Sequence, residues 1–392
     1  MGLTMREKQA VTREMALEYK RATKKRKGEI LGLLVGLTEY NRSYAARVLR
    51  QRSREVVVGS GRVGEVLAPL QRAWVICDGI CGKRLAPYLR EIVSTLERLG
   101  ELTLDAEVRH KLIRISPATI DRLLAPARKR YQLRARTQTK PGTLLKHQIP
   151  IRTWSDWNEA CPGFVEIDLV SHEGGDPRGE FAYTLDATDI CTGCTETVAV
   201  RNRAERWGFA GLKEALARFP FEIHGIDSDN GSEFIINHLV RYCTEQEITF
   251  TPSRPYRKND NCFVEQKNSS VVRRTVGYAR HDTPEELELL NKLYLRLRLY
   301  ANYFQPVMKL VEKTRTGSRV TKKYDKARTP YGRVLTSRDI AKRVKQDLRR
   351  DYKELNPVPL GREIDRLLDR LHSVAERKAE AKPCSTLEYI ST

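Results

Sequence analysis

The length and composition of the chain are those of a multidomain globular protein. It has 392 residues, of which 40% are hydrophobic and 31% charged, and a formal net charge of +21. It contains no run of 18 apolar residues, and no charged segment followed by an apolar stretch opens the chain; both observations argue against a membrane protein or a secreted one. We therefore expect two to four domains, no membrane partner and a cytoplasmic location.

The positive charge lies at the two ends of the chain. Residues 1–150 hold 31 Lys and Arg against 14 Asp and Glu, and residues 281–392 hold 25 against 16. Residues 151–280 hold only 15 against 20. Basic flanks around an acidic centre are expected of a protein that grips a polyanion and cuts it at an acidic, metal-loaded centre. A basic surface that is merely solvated is the alternative when charge is considered alone.

Residues 1–60 are predicted to form a helix-turn-helix DNA-binding domain. An apolar stripe from Ile30 to Leu37 follows the basic run Lys24–Lys27 at helical spacing. After a turn at residues 38–42, Ser43 can cap a second helix. That helix would bury Ala45, Ala46, Val48 and Leu49. Its outward cations are candidate DNA contacts, as on a recognition helix: Arg47, Arg50 and Arg52. An ordinary helical hairpin gives the same pattern.

A second helical DNA-binding domain is predicted over residues 61–135. A helix from Leu104 to Ile113 precedes Ser116, which can cap a further helix that begins at Pro117. The cations of this helix are candidate phosphate or groove contacts, with a solvated helix face as the alternative: Arg122, Arg128, Lys129 and Arg130. Residues 136–155 are basic, rich in Thr, Gln, Lys and Pro and without periodicity, which predicts a linker.

Three carboxylates occur in contexts that predict catalysis. Asp168 lies in the mostly apolar run GFVEIDLV, which is typical of a core strand. Asp229 lies in HGIDSDNGSEF, where a short strand leads into residues that favour a turn. Glu265, with 35 residues between it and Asp229, belongs to a segment with apolar residues at helical spacing. Asp227 competes with Asp229, because alternation puts both on one strand face.

The chemistry of such a group is that of a metal site. Three carboxylates without lysines between them repel each other unless they are protonated or neutralised by metal. Oxygen ligands favour Mg²⁺, for which Mn²⁺ can substitute. Two such ions about 3.5–4 Å apart can activate an attacking oxygen and stabilise the leaving oxygen in a displacement at phosphorus. The three carboxylates therefore suit two divalent ions and phosphodiester chemistry.

The stretch TLDATDICTG is expected to end a strand and turn back as a hairpin. Asp186 and Asp189 are interpreted as turn residues. Cys191 and Cys194 form a CxxC pair without a second pair or a His nearby, so we expect thiols in a hairpin and no zinc site.

Residues 163–305 resemble the catalytic core of retroviral integrases and of bacterial insertion-sequence transposases with an integrase-type core. The resemblance is carried by the DNGSEF stretch, the gap of 35 residues after Asp229, and Asn268 three residues after Glu265. It implies an α/β RNase H-like core with a mixed sheet over residues 156–310. It also implies that Asp168, Asp229 and Glu265 form the catalytic triad and bind two Mg²⁺ ions.

The resemblance further implies an activity and its partners. A DDE transposase cuts the 3′ ends of a mobile element and joins them to target DNA, acting as a homo-multimer that bridges two DNA ends, near the bacterial nucleoid. Two features depart from the family pattern. Family members usually carry Gly just ahead of the catalytic Glu, where this chain has Asn261 and Cys262. The zinc-binding domain of retroviral integrases is missing, since residues 1–150 contain only two His and two Cys.

The segments after the triad are predicted to be mostly helical. The helix with Glu265 continues through further candidate DNA contacts: Lys267, Asn268, Arg273 and Arg274. A helix is expected from about Pro284 to Phe304 because its leucines recur at helical spacing. Residues 311–392 are expected to form a basic, mostly helical C-terminal region, with a basic loop over 314–328 and helices over about 337–353 and 360–377.

The sequence thus predicts a multidomain DNA transposase. Two alternatives remain open. The first is a nuclease of the same RNase H-like fold that hydrolyses DNA but never joins it. The second is a non-catalytic DNA-binding regulator derived from a transposase.

Overall fold

The computed structural model describes residues 5–53, 64–134, 161–228, 241–252 and 262–381. The predicted linker and Asp229 lie outside these ranges. The chain divides into two compact units, Met1–Ala68 and Pro69–Thr392. In the described ranges, no helix is both long and apolar enough to cross a membrane.

The described part of the first unit contains α1 (Met5–Arg21), α2 (Lys24–Thr38) and α3 (Arg42–Ser53). Their small core consists of Ala16, Ile30, Leu34, Ala45 and Leu49. The expected capping role of Ser43 is wrong. The helix begins one residue earlier, and Asn41 Oδ1 accepts a hydrogen bond of 2.9 Å from the backbone N–H of Ser43. Asn and Ser are equally good capping residues, so the cap could fall on either.

Four helices precede the sheet: α4 (Gly64–Ile76), α5 (Gly82–Arg98), α6 (Ala106–Ile113) and α7 (Pro117–Arg134). The predicted cap of α7 is confirmed, because Ser116 Oγ accepts from the backbone N–H of Thr119 at 3.2 Å. From Pro69 onward these helices belong to the same unit as the sheet. Tyr88 Oη, for example, donates to the Tyr303 carbonyl at 3.4 Å. The described residues from Pro69 to Arg134 therefore lie in one compact unit with the sheet.

The sheet of the second unit is mixed, as expected. Its strands are β1 (Phe164–Ser171), β2 (Tyr183–Asp189), β3 (Thr195–Val200), β4 (Gly225–Ser228) and β5 (Thr249–Pro252). Their order is β3-β2-β1-β4-β5. Strand β1 pairs antiparallel with β2 and parallel with β4. Asp168 lies in β1, and Asp227 lies in β4.

The two faces of this sheet differ in polarity. Val165, Ile167 and Leu185 face one side and form an apolar core with helix α8 (Glu205–Ala217). Because side chains alternate along a strand, Glu166 and Asp168 face the other side. The cross-strand partners of these two residues are also acidic: Asp227 opposite Glu166, and Asp186 opposite Asp168.

The acidic face is covered by helices from the second half of the chain. Helix α9 (Cys262–Lys267) continues into a π-helical turn (Asn268–Arg273) and an α-helical turn (Arg274–Val276). Helix α10 has the predicted bounds, Pro284–Phe304, and begins with a capping box formed by Thr283 and Glu286.

The C-terminal region is mostly helical, as predicted, but it begins with a β-hairpin. Strands β6 (Leu310–Thr316) and β7 (Arg319–Tyr324) form a separate two-stranded sheet where the sequence predicts a basic loop. The helices that follow are α11 (Pro330–Thr336), α12 (Lys342–Glu354) and α13 (Pro357–Ala381).

Candidate active site

Asp168 lies in the middle of β1 and is held on both carboxylate oxygens. Oδ1 accepts from the backbone N–H of Leu169 at 2.7 Å. Oδ2 accepts from the side-chain amide of Asn268 at 2.5 Å. Asn268 follows helix α9, so this bond ties the strand with Asp168 to the segment that carries Glu265. The side chain of Asp168 remains partly exposed.

A second acidic residue of β1 fixes the start of helix α9. Glu166 Oε2 accepts from the backbone N–H groups of Phe263 and Val264, at 2.8 and 2.9 Å. These are N–H groups of the first turn of a helix, where a carboxylate is favoured by the helix dipole. Glu166 is only 1% exposed, so the anchor is shielded from water. This role of Glu166 has no local signal in the sequence, although the Glu-x-Asp spacing on a predicted strand places both side chains on one face.

Glu265 projects from α9 and is exposed. It precedes Asn268 by three residues, and residues at this spacing are neighbours on one side of a helix. Asn268 in turn is bonded to Asp168. The π-helical turn begins at Asn268, and such irregular turns are frequent at functional sites. The Asn268 amide, three residues after Glu265, thus connects the segment that carries Glu265 to Asp168.

The third predicted ligand, Asp229, lies outside the described residues. The residue before Asp229 in the sequence, Ser228, is described. It pairs in a parallel register with Ile167, which comes one residue before Asp168. Asp227 is described, 3% exposed, and pairs with Glu166. Within the described ranges, no group of three or more His, Cys, Asp or Glu is arranged to hold a metal ion. Asp168 and Glu265 do offer carboxylate oxygens, the ligands that Mg²⁺ prefers.

The interpretation of Asp186 as a turn residue is wrong. It lies within β2 directly opposite Asp168, and it is fully buried. Thr188 Oγ1 donates to Oδ1 at 3.2 Å, while Oδ2 has no hydrogen-bond partner among the described residues. Burial raises the pKa of Asp186 to about 8, although the nearby cation Lys267 opposes that shift. The other predicted turn residue, Asp189, does hold the turn, because its carboxylate accepts from the backbone N–H of Thr192 at 2.6 Å.

Lys267 is buried beneath the site. Its Nζ donates to the Gly193 carbonyl at 2.9 Å, and its exposed fraction is 8%. Burial lowers the pKa of Lys267 to about 8, against the attraction of Asp186. An ammonium that is buried and bonded within the protein does not reach a DNA phosphate, so the structure contradicts the predicted DNA contact of Lys267.

Arg273 and Arg274 hold the π-helical turn in place. Arg273 donates to the Ser171 carbonyl at 2.7 Å, at the end of β1. Burial lowers the pKa of Arg273. Arg274 donates to the Asp78 carbonyl at 2.6 Å and pairs with the Asp78 carboxylate at 3.0 Å. Both guanidinium groups therefore have partners within the protein, and Arg274 also connects the turn to the end of α4.

The cations predicted on the N-terminal helices differ in exposure. Arg47 is exposed and stacks over the ring of Tyr44 at 5.2 Å. Arg50 and Arg52 lie in α3, but their side chains are outside the described part of the structure. Three cations of α7 are exposed: Arg122, Lys129 and Arg130.

Arg128 has a different environment from its neighbours on α7. It pairs with Asp121 at 2.8 Å, donates to the Ile80 carbonyl at 3.2 Å and lies over the ring of Trp74. This arginine ties α7 to the end of α4 and is less available to a ligand.

Comparison with known proteins identifies a relative of similar length. No family model matches the chain. The chain is similar to the uncharacterized protein y4rM of Sinorhizobium fredii, with 41% identity over 321 residues, which is 80% of this chain and 91% of that protein.

Solved structures similar to part of the chain are retroviral integrases. The HTLV-2 integrase catalytic core in complex with magnesium matches at 12% identity and a TM-score of 0.29, over 38% of this chain and 93% of that one. The catalytic core of BIV integrase matches at 15% identity and a TM-score of 0.28, over 43% and 91%. A chain of the simian T-cell lymphotropic virus intasome in complex with PP2A regulatory subunit B56 gamma matches at 18% identity and a TM-score of 0.28. The match covers 33% of this chain and 45% of that one.

Proposed function

The chain belongs to the family of the uncharacterized protein y4rM of Sinorhizobium fredii, and we propose that it is a DNA transposase. In this proposal Asp168, Asp229 and Glu265 bind two Mg²⁺ ions within an RNase H-like core. The protein cuts the 3′ ends of a mobile element and joins them to target DNA. Element ends and target DNA are its partners, and a homo-multimer bridges two ends.

The observation that carries the proposal is the docking of helix α9 onto strand β1. Glu166 accepts from the N–H groups of Phe263 and Val264, and Asn268 donates to Asp168. These bonds fasten both ends of the segment that carries Glu265 to the strand that carries Asp168. A catalytic pair placed on a strand and a helix, and fixed by neighbouring hydrogen bonds, is preorganised. The parallel register of β4 supports Asp229 as the third member, since the described strand ends beside Ile167.

The residues around the carboxylates have separate tasks. Two hard cations, when bound, would activate the attacking oxygen and stabilise the leaving oxygen at phosphorus. Asn268 orients the Asp168 carboxylate by its hydrogen bond to Oδ2. Glu166 sets the position of α9 and hence the direction in which Glu265 projects. No residue of the protein needs to act as a covalent nucleophile.

The distribution of charge agrees with a DNA substrate. The acidic segment of residues 151–280 lies between basic flanks in the sequence, and exposed cations of α7 are available on the second unit. Such flanks supply the phosphate contacts that bind DNA without regard to sequence.

The test is an assay that separates cutting from joining. Purified protein is incubated with labelled duplexes that carry the element ends and with a target plasmid, in Mg²⁺, Mn²⁺ or chelator. We expect metal-dependent cut and joined products. Asp168→Asn, Asp229→Asn and Glu265→Gln should each abolish both products while leaving DNA binding intact. Glu288→Gln, an exposed carboxylate on α10 that pairs with Lys292, is the matched control and should retain activity.

The other outcomes distinguish the alternatives. Cut products without joined ones would indicate a hydrolytic nuclease. DNA binding without any metal-dependent product would favour a regulator. Substantial activity in any of the three triad variants would refute the assignment of that residue.

A further inference from the structure

The β6–β7 hairpin, residues 310–324, is here called the ribbon. The register pairs Thr316 with Arg319, so Gly317 and Ser318 form a two-residue loop. Gly317 has φ of 60°, and a positive φ at the first loop position is characteristic of a type II′ turn, which suits a tight hairpin. The ribbon forms its own two-stranded sheet and pairs with no other described strand.

The root of the ribbon is firmly anchored beside helix α9. Val307 and Arg328 exchange backbone hydrogen bonds of 2.8 and 3.1 Å. Asp325 accepts from the backbone N–H of Lys309 at 2.7 Å and pairs with Arg333 of α11 at 2.7 Å. Lys309 Nζ donates to the Cys191 carbonyl at 3.0 Å and lies 5.8 Å from the ring centre of Phe263. Phe263 is two residues from Glu265, so the ribbon leaves the protein next to the candidate active site.

Beyond its root the ribbon is exposed on both faces. Val311 is 64% exposed, Val320 45% and Tyr324 47%. A two-stranded hairpin is marginally stable by itself in water. Both faces of the ribbon are therefore accessible to a partner.

The charge of the ribbon identifies the partner. Residues 310–324 contain five Lys and Arg against one acidic residue, Glu312. Glu312 and its cross-strand partner Lys323 lie on one face of the ribbon, where the Glu312 carboxylate and Lys323 Nζ are 3.5 Å apart. On the opposite face Arg315 and Val320 are cross-strand partners. Lys322 lies on the same face as Val320, two residues further from the turn. Arg315 and Lys322 are both exposed, and this face has no acidic position, so it is complementary to a polyanion.

We propose that the ribbon is a DNA-binding arm that lies in a groove of duplex DNA, with the face of Arg315, Val320 and Lys322 against the DNA. The major groove accepts a two-stranded ribbon, and strands are known to serve as groove readers. Only the role of the arm, holding DNA beside Glu265, rests on the proposed transposase function. DNA binding by the ribbon stands without it.

A cleft at the root extends the basic surface. The cleft has a volume of about 380 Å³ and is lined by Arg328, Arg333 and Arg338 together with Cys191, Thr336, Ser337 and Asp339. The Nε of Arg333 is buried without a hydrogen-bond partner in the described part of the chain. Of these cations Arg328 and Arg338 are exposed and could contact a duplex held by the ribbon, whereas Arg333 pairs with Asp325.

A second copy of the chain is the competing occupant, since strand edges can pair between molecules. Lysines on edge strands are a common means of preventing such pairing. Two copies of this ribbon would bring their cations together, whereas DNA neutralises them. The charge therefore favours DNA.

The test measures binding of a fluorescent duplex by anisotropy, with chelator present, over a series of salt concentrations. The full chain is compared with the double variant Arg315→Glu/Lys322→Glu. The control is Arg362→Glu/Arg366→Glu, which makes the same change in charge at exposed positions of α13. The ribbon variant should bind about 10–100-fold more weakly at about 100 mM salt. Its slope of log K against log salt should be shallower by about two, because each of the two cations neutralises about one phosphate in the wild-type complex.

Each outcome has a defined meaning. Equal affinity and slope in the ribbon and control variants would overturn the proposal, provided that circular dichroism shows both to be folded. So would a wild-type chain that self-associates in sedimentation velocity through Arg315 and Lys322 and binds DNA independently of them. Because no metal is present, binding is scored separately from chemistry. Ribbon-dependent binding by a protein that never cuts DNA would refute the transposase proposal and leave the arm intact.

Discussion

The acidic face of the sheet and the ribbon use the same basic residue types in opposite ways. On the acidic face, Lys267 and Arg273 are buried or partly buried and donate to backbone carbonyls. On the ribbon, Arg315 and Lys322 are exposed on a face without acidic positions, although Arg315 also donates to the Gly317 carbonyl at 3.1 Å. The comparison shows that a cation near a candidate active site can be structural, while one about 50 residues later in the chain remains available to DNA.

Buried and exposed cations of these two kinds should differ in how much their removal costs in stability and in DNA binding. Removal of a buried charge leaves its surroundings without compensation and leaves a cavity where the stem packed. Removal of an exposed charge costs little stability but weakens binding to a polyanion. The following changes test this distinction.

The largest effect on stability is expected at Lys267. Lys267→Ala removes the buried donor to Gly193 and the cation near Asp186. We expect a loss of about 3 kcal/mol in the free energy of unfolding. The matched change on the ribbon, Lys322→Ala, should alter it by less than about 0.5 kcal/mol. Urea denaturation measures both, and equal costs would contradict the distinction.

A smaller effect, on catalysis, is expected at Asn268. Asn268→Ala removes the hydrogen bond to Asp168 Oδ2 without removing a proposed ligand. Residues that orient metal ligands typically contribute about 10–100-fold to metal affinity or activity. We expect a loss of that size in strand joining, partly recovered at high Mg²⁺. Ser270→Ala, an exposed neighbour, is the control, and a similar loss in both variants would indicate a general disturbance of the turn.

The smallest effect is expected where α13 meets α10. Lys378 Nζ donates to Glu286 Oε1 and Oε2 at 2.8 and 2.9 Å, and Glu286 is fully buried. Burial raises the pKa of Glu286, but hydrogen bonds from His281, Lys378 and the Asp282 backbone outweigh burial and hold it well below its usual range. Lys378→Met should cost about 1.5 kcal/mol at pH 7.

The pH dependence of this cost follows from the lowered pKa of Glu286. A carboxylate with a depressed pKa contributes stability above its unfolded value, about 4.3, and loses that contribution as the pH falls below it. The difference in the free energy of unfolding between wild type and Lys378→Met should therefore be largest at pH 7 and smaller at pH 3. A difference that is independent of pH would assign the effect to packing of the lysine stem alone. Lys292→Met, at an exposed ion pair with Glu288, should change stability by less than about 0.5 kcal/mol.

Elements with local signals could be predicted from the sequence. Helix α10 has the predicted bounds because Thr283 and Glu286 form a capping box before regularly spaced leucines. Strand β1 follows from its apolar run, and the cap of α7 from Ser116 and Pro117. These features depend on neighbours within a few residues.

Features that depend on distant partners could not be predicted in this way. The burial of Lys267 requires Gly193 and Asp186, which lie 74 and 81 residues away in sequence. Asp is rare in strands, which favours a turn at Asp186, yet β2 extends through it to Asp189. In the ribbon, Lys and Arg obscure the alternation of Thr and Val residues and favour a loop, although Gly317 and Ser318 are a hairpin signal.

The most direct test of the central claim is a change of metal preference at Glu265. Glu265→Cys replaces a hard oxygen ligand by a thiolate, which binds Mg²⁺ poorly and accepts softer ions such as Mn²⁺ better. Strand joining should be lost in Mg²⁺ and partly restored in Mn²⁺, while Glu288→Cys should behave like wild type in both. Full activity of Glu265→Cys in Mg²⁺ would contradict the account, because Glu265 would then not be a metal ligand.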